Sequence, residues 1–145
     1  MDGLSKAGIW LNRLTLLFVS ILFANIGLKN LIHPVQAAGA ANIALNSATA
    51  FSVARVSMGA FPLGFAIIVF TSLFSGKQIF RGIFSVLIIA AVTTIVRIIS
   101  LAIDGHSDFG QKVLYPEIVI TILSAVGVYL ELRKRKSQEQ AIRNL

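Results

Sequence analysis

Four apolar stretches, each long enough to cross a lipid bilayer and each closed by an abrupt stop, constrain this chain more than any other feature. A transmembrane helix needs about 20 consecutive, mostly apolar residues to cover the hydrocarbon. The stretches at about 9–32, 50–74, 79–103 and 113–132 meet that requirement. The first stops at His33-Pro34, the second at Ser75-Gly76-Lys77 and the third at Asp104-Gly105. The fourth runs into consecutive bases, Arg133-Lys134-Arg135-Lys136. Proline, glycine and charge at these points end each helix where the chain must meet water or headgroups. The expected architecture is therefore all-α: one integral membrane domain over residues 1–145, a four-transmembrane-helix bundle with a polar tail at 137–145.

Composition agrees with lipid as the solvent. Hydrophobic residues make up 56% of the chain and charged residues 13%, whereas a soluble domain carries about a quarter charged residues. The formal charge of +7 would suggest nucleic acid in a soluble protein, but here no aromatic stacking platform accompanies the bases. The basic run after the fourth stretch reads instead as a stop-transfer anchor against an anionic cytoplasmic leaflet, so nucleic acid is not an expected partner. With no cysteine in the chain, disulfides, thiolate zinc sites and thiol nucleophiles are excluded.

Orientation follows from the distribution of bases. With both termini inside, the cytoplasmic side holds Lys6, Arg13, Lys77, Arg81, Arg133, Lys134, Arg135, Lys136 and Arg143, against Lys29, Arg55, Arg97 and Lys112 on the other. That excess favours N-in, C-in. Trp10 and Tyr129 then fall at the inner interface, and Phe109 and Tyr115 at the outer one. Residues 35–49 are small and weakly apolar, too short to span, and read as a short surface helix or re-entrant turn, with Asn46-Ser47 placed to cap the second helix. Val35-Gln36-Ala37 resembles a signal-peptidase site, but the first stretch is read as retained.

Polar residues inside the apolar stretches point toward function. A charge within the bilayer is costly and usually faces the bundle interior with a partner; Arg55, Arg97 and Glu117 are such residues. Thr93, Arg97, Ser100 and Asp104 follow one another at steps of four, three and four, so they share a helix face. Glu117, Thr121 and Ser124 do the same on the fourth helix, and Ser52, Arg55, Gly59 and Pro62 on the second. Asn25, Lys29 and His33 lie near the outer end of the first. The ionisable groups are thus expected to converge on the outer half of the bundle, leaving the inner half apolar. Arg97 can pair with Glu117 or with Asp104, and Arg55 with Asp104; the spacing leaves these choices open. Either the pairs fix helix packing, or the excess of arginine receives a phosphate or carboxylate headgroup. Pro62 frees a carbonyl near Met58 and, with Gly59 and Gly64 beside it, predicts a kink or a close helix approach.

His33 and His106 fall in loops or at helix ends and do not face one another as haem ligands would. Asp104-Gly105-His106-Ser107-Asp108 lacks the spacing of a calcium loop, and no nucleophile elbow is present. No metal, cofactor or catalytic residue is expected, and the chain reads as non-enzymatic.

Taken together, His33-Pro34, Arg55 before Ser57-Met58-Gly59, Arg97-x-x-Ser100-Leu101-x-x-Asp104-Gly105 and Glu117 resemble a bacterial family of small four-helix membrane proteins, domain of unknown function 4345. The resemblance runs from about Leu14 to Leu132 and implies a fold without an activity. It singles out Arg55, Arg97, Asp104 and Glu117. Small multidrug transporters are similar in size, but their buried glutamate lies in the first helix. Membrane glutathione enzymes are also four-helix bundles, but their Glu-Arg pair is missing, since Val53-Ala54 precede Arg55.

On this reading the chain is a multi-pass protein of the bacterial inner membrane that binds an anionic or amphipathic ligand, such as a lipid, without catalysis. Arg55 and Arg97 would hold the ligand, Asp104 and Glu117 would position the arginines, and Ser100, Asn25 and Lys29 would complete the site. Two other roles fit the same residues: an accessory subunit of a larger membrane complex, and a small homo-oligomeric proton-coupled transporter.

Overall fold

The first helix, α1, occupies Gly3–Ile32 and ends where Pro34 makes a new start. Proline lacks a backbone N–H and suits the first turn of a helix, and Pro34 opens the short helix α2, Pro34–Gly39. The structure, a computed structural model, describes residues 3–105 and 107–143. After α2 the chain turns through Asn42, whose φ of 59° is left-handed. It then extends to Ser47, whose hydroxyl accepts from the Ala50 N–H at 3.1 Å. That cap starts the second long helix, in agreement with its sequence signal.

The second helix is not uniform. It comprises α3, Ala48–Val53, a π-helical stretch, Ala54–Ala60, then α4, Phe61–Thr71, and a closing 3₁₀ turn, Ser72–Phe74. Pro62 explains the widening: it cannot donate to the Met58 carbonyl, and its ring crowds that carbonyl. The backbone responds by adding a residue to the turn, so that the Phe61 N–H bonds back to the Val56 carbonyl.

Helix α5 covers Gly76–Ile103 and α6 covers Asp108–Arg143. Between them Gly105 takes φ 94°, a left-handed conformation that glycine adopts without strain. The Ser107 hydroxyl caps α6 by accepting from the Gly110 N–H at 3.2 Å. α6 carries Pro116 in its early turns and continues through the basic run into the polar tail.

Among the described residues, four segments are long and apolar enough to cross a membrane: Ala7–Ile32, Ala48–Phe74, Gln78–Ile103 and Asp108–Gln138. Among the described residues there is no strand. Apolar side chains such as Phe61, Phe74 and Ile103 are 71%, 77% and 78% exposed, a surface that lipid accommodates and water does not. The protein is an all-α, multi-pass membrane protein with four transmembrane helices.

The chain divides into two compact units, one made of Met1–Leu16 with Ser72–Leu145, the other of Leu17–Thr71. In the first, α5 and α6 form a hairpin whose core includes Leu16, Ile83, Val86, Ile120 and Val128. The Arg135 guanidinium lies 4.2 Å from the Phe80 ring centroid, and Trp10, Tyr129 and Tyr115 are exposed, as interfacial aromatics are. In the second unit, the later turns of α1 meet the Ala48–Thr71 helix through two glycines. A β-carbon on Gly27 would come within 2.8 Å of the Gly59 carbonyl oxygen and the Leu63 nitrogen. One on Gly59 would come within 2.9 Å of Leu31. Small residues are what let membrane helices approach so closely. Phe23 and Phe65 pack edge-on nearby, at 5.0 Å between centroids.

Candidate functional site

The residues singled out from the sequence fall into separate units. Arg97, Ser100, Asp104 and Glu117 belong to the α5–α6 hairpin; Asn25, Lys29 and Arg55 belong to Leu17–Thr71.

In the hairpin, Arg97 takes Glu117. Its Nε donates to Oε2 and its Nη2 to Oε1, both at 2.7 Å. This two-point geometry matches the flat guanidinium to the carboxylate and is the strongest form of the interaction. The side chains retain 27% and 16% exposure. One turn farther from the loop, the Thr94 and Thr121 hydroxyls lie 3.3 Å apart, and Thr121 also donates to the Glu117 carbonyl at 2.8 Å. Asp104 plays a different part: its Oδ2 accepts from the Ser100 hydroxyl at 2.7 Å, and both residues are exposed. The open choice of partner for Arg97 is thereby decided for Glu117. Asp104 lies seven residues along the same helix, about 10 Å away, whereas Glu117 lies directly across the hairpin.

In the other unit, Arg55 projects from the π-helical stretch and is exposed. Among the described residues it has no ion-pair partner. It shares one open helix face with Ala48, Phe51, Ser52 and Val56. Ser52 and Arg55 provide a hydroxyl and a cation about one turn apart, with apolar side chains on either side. Asn25 and Lys29 are exposed on α1. It is Asn30 that turns inward, 9% exposed, donating to its own helix at the Ile26 carbonyl, 2.9 Å away.

The sequence predicts an apolar inner half, whereas in the hairpin unit buried polar residues continue beyond the Arg97–Glu117 pair. Toward the start of α1 and the end of α6, Asn12, Ser124 and Glu131 are buried. The Asn12 amide donates to the Gly127 carbonyl at 3.3 Å, and Glu131 pairs with Lys134 at 3.5 Å. A spacing signal for these residues exists. Glu131 continues the Glu117-Thr121-Ser124 stripe seven residues on, and Asn12 shares a helix face with Leu16 and Val19. His106 lies outside the described residues.

No curated protein and no solved structure matches the chain. The four transmembrane helices and the Arg97–Glu117 pair are accompanied by a match between residues 11–128 and the family described as Domain of unknown function (DUF4345), and the chain belongs to that family.

Proposed function

We propose that the protein is a non-catalytic binding protein of the bacterial inner membrane, and that it takes an anionic amphiphile at Arg55. The observation that carries this reading is the contrast between the two arginines. Arg97 has its charge matched by Glu117 through two 2.7 Å hydrogen bonds, so it serves to hold α5 to α6. Arg55 is an exposed cation inside a membrane helix with no carboxylate against it among the described residues. It stands seven residues after Ala48, about 10 Å along the helix, within reach of the headgroup layer for a long side chain. A phosphate or carboxylate on Arg55 and Ser52, with its chain along Phe51 and Val56, satisfies both the charge and the apolar helix face.

Native mass spectrometry of the protein released from membranes tests this. Wild type is expected to carry a discrete lipid-sized mass. Arg55→Ala should lower its occupancy about tenfold or more, since a hydrogen bond to a charged group contributes about 1.5–3 kcal/mol. An Arg97→Leu, Glu117→Leu double variant should retain it. An adduct that survives Arg55→Ala overturns the reading. A bare mass in wild type, or one shared with another subunit, favours the accessory role.

We further propose the N-in, C-in orientation, supported by the excess of bases at the terminal side. A cysteine test belongs at Ser107, because Gly105 has a left-handed φ of 94°. Ser107→Cys should react with an impermeant maleimide on intact cells. Labelling only after lysis would reverse the topology.

A further inference from the structure

The interior of the hairpin unit contains two polar atoms that the protein leaves unsatisfied. Asn12 and Ser124 are both 0% exposed. Asn12 uses its amide N–H on the Gly127 carbonyl, yet its Oδ1 has no hydrogen-bond partner, and neither does the Ser124 hydroxyl. A buried acceptor or hydroxyl without a partner bears its full desolvation cost, and native interiors seldom leave one so.

The two groups also lie on one face of α6. A β-carbon on Gly127 would collide with Asn12 Oδ1, so that oxygen occupies the position a side chain at 127 would take. Ser124 is three residues earlier on α6, so its side chain shares the helix face against which Asn12 Oδ1 lies at Gly127. The same hypothetical β-carbon would lie 3.1 Å from Ile83 Cγ1, so α5 also packs close to this point.

The charges along the same stripe are already matched. Glu117 is held by Arg97 and Glu131 by Lys134. What remains between them is a neutral acceptor and a hydroxyl, chemistry that suits a neutral molecule able both to donate and to accept. We propose that an ordered water molecule is bound between Asn12 Oδ1 and the Ser124 hydroxyl, linking α1 to α6 in the interior of this unit. The water donates to Asn12 and exchanges a hydrogen bond with Ser124, giving it the two or more polar partners that a buried water requires.

The sign of one substitution separates this from the alternative. If the hydroxyl is truly unpartnered, Ser124→Ala removes a buried orphan and the thermal midpoint stays level or rises; that result overturns the proposal. With the water present, Ser124→Ala and Asn12→Leu each lower the midpoint. The double variant then falls no further than the more damaging single change, because both disrupt one bridge. Wild-type protein with labelled asparagine, in detergent micelles, supplies a second readout that needs no variant to fold. The Asn12 side-chain amide should show a cross-relaxation peak to a long-lived water. Coupled variants without that peak would mean that Ser124 reaches Asn12 directly, and would overturn the proposal as well.

Discussion

Replacing Glu117 with leucine is expected to destabilise the α5–α6 hairpin by about 2–3 kcal/mol, somewhat under the roughly 2.5–3.5 kcal/mol of an uncompensated charge at the centre of a membrane helix. The intact pair is not worth that much, because interhelical polar contacts in membranes average about 0.6 kcal/mol. The loss comes from stranding Arg97, which would have neither its two 2.7 Å acceptors nor bulk water. Its 27% exposure, and its position about 10 Å from the helix end, let it bend partway toward the headgroups and keep the cost below that of a fully enclosed charge. The consequence is a test by rescue. Arg97→Leu with Glu117→Leu should return to within about 1 kcal/mol of wild type, as removal of both members of a buried pair often does. Reversible unfolding in mixed micelles measures both variants. A Glu117→Leu protein as stable as wild type would show that Arg97 finds another partner. A double variant as unstable as the single would show that the pair contributes more than charge balance.

Gly27→Ala is the second large effect, with an expected loss of about 2–3 kcal/mol through overpacking. Alanine is a better helix former than glycine by about 1 kcal/mol, so local preference alone gives the opposite sign. Packing prevails because the new β-carbon would stand 2.8 Å from the Gly59 carbonyl oxygen and the Leu63 nitrogen. Those are backbone atoms of a facing helix and cannot rotate aside. Gly64 is the internal control: a β-carbon there meets nothing within 4 Å. Gly64→Ala should therefore be neutral or stabilising by up to about 1 kcal/mol. Thermal midpoints of the two variants in one detergent decide the matter; equal effects would exclude the close approach as a source of stability.

Much of the architecture is legible in the amino-acid sequence. The transmembrane helices follow from apolar runs and from stops at His33-Pro34, Ser75-Gly76 and Asp104-Gly105, all local features. The Ser47 cap is visible for the same reason, since a cap concerns only the next turn. The shared face of Thr93, Arg97, Ser100 and Asp104 follows from spacing. Its connections across the hairpin do not: residues 94 and 97 stand opposite 121 and 117, and only that pairing selects Glu117 over Asp104. Asn12 and Glu131 carry a spacing signal, but they lie near the expected ends of their helices, where a polar residue reads as facing the headgroups. α1 and α6 extend past those ends, and packing buries both residues.

By itself, the sequence determined the solvent and the elements. A chain with 56% hydrophobic and 13% charged residues belongs in lipid, where each spanning segment must satisfy its backbone internally and so becomes a helix. The tertiary structure decided which polar groups meet. It joined Arg97 to Glu117, left Arg55 exposed on an open helix face, and buried Asn12 beside Gly127. The physical reason is range: backbone hydrogen bonding and burial in lipid act along one helix, whereas a polar contact depends on what the facing helix presents at the same height.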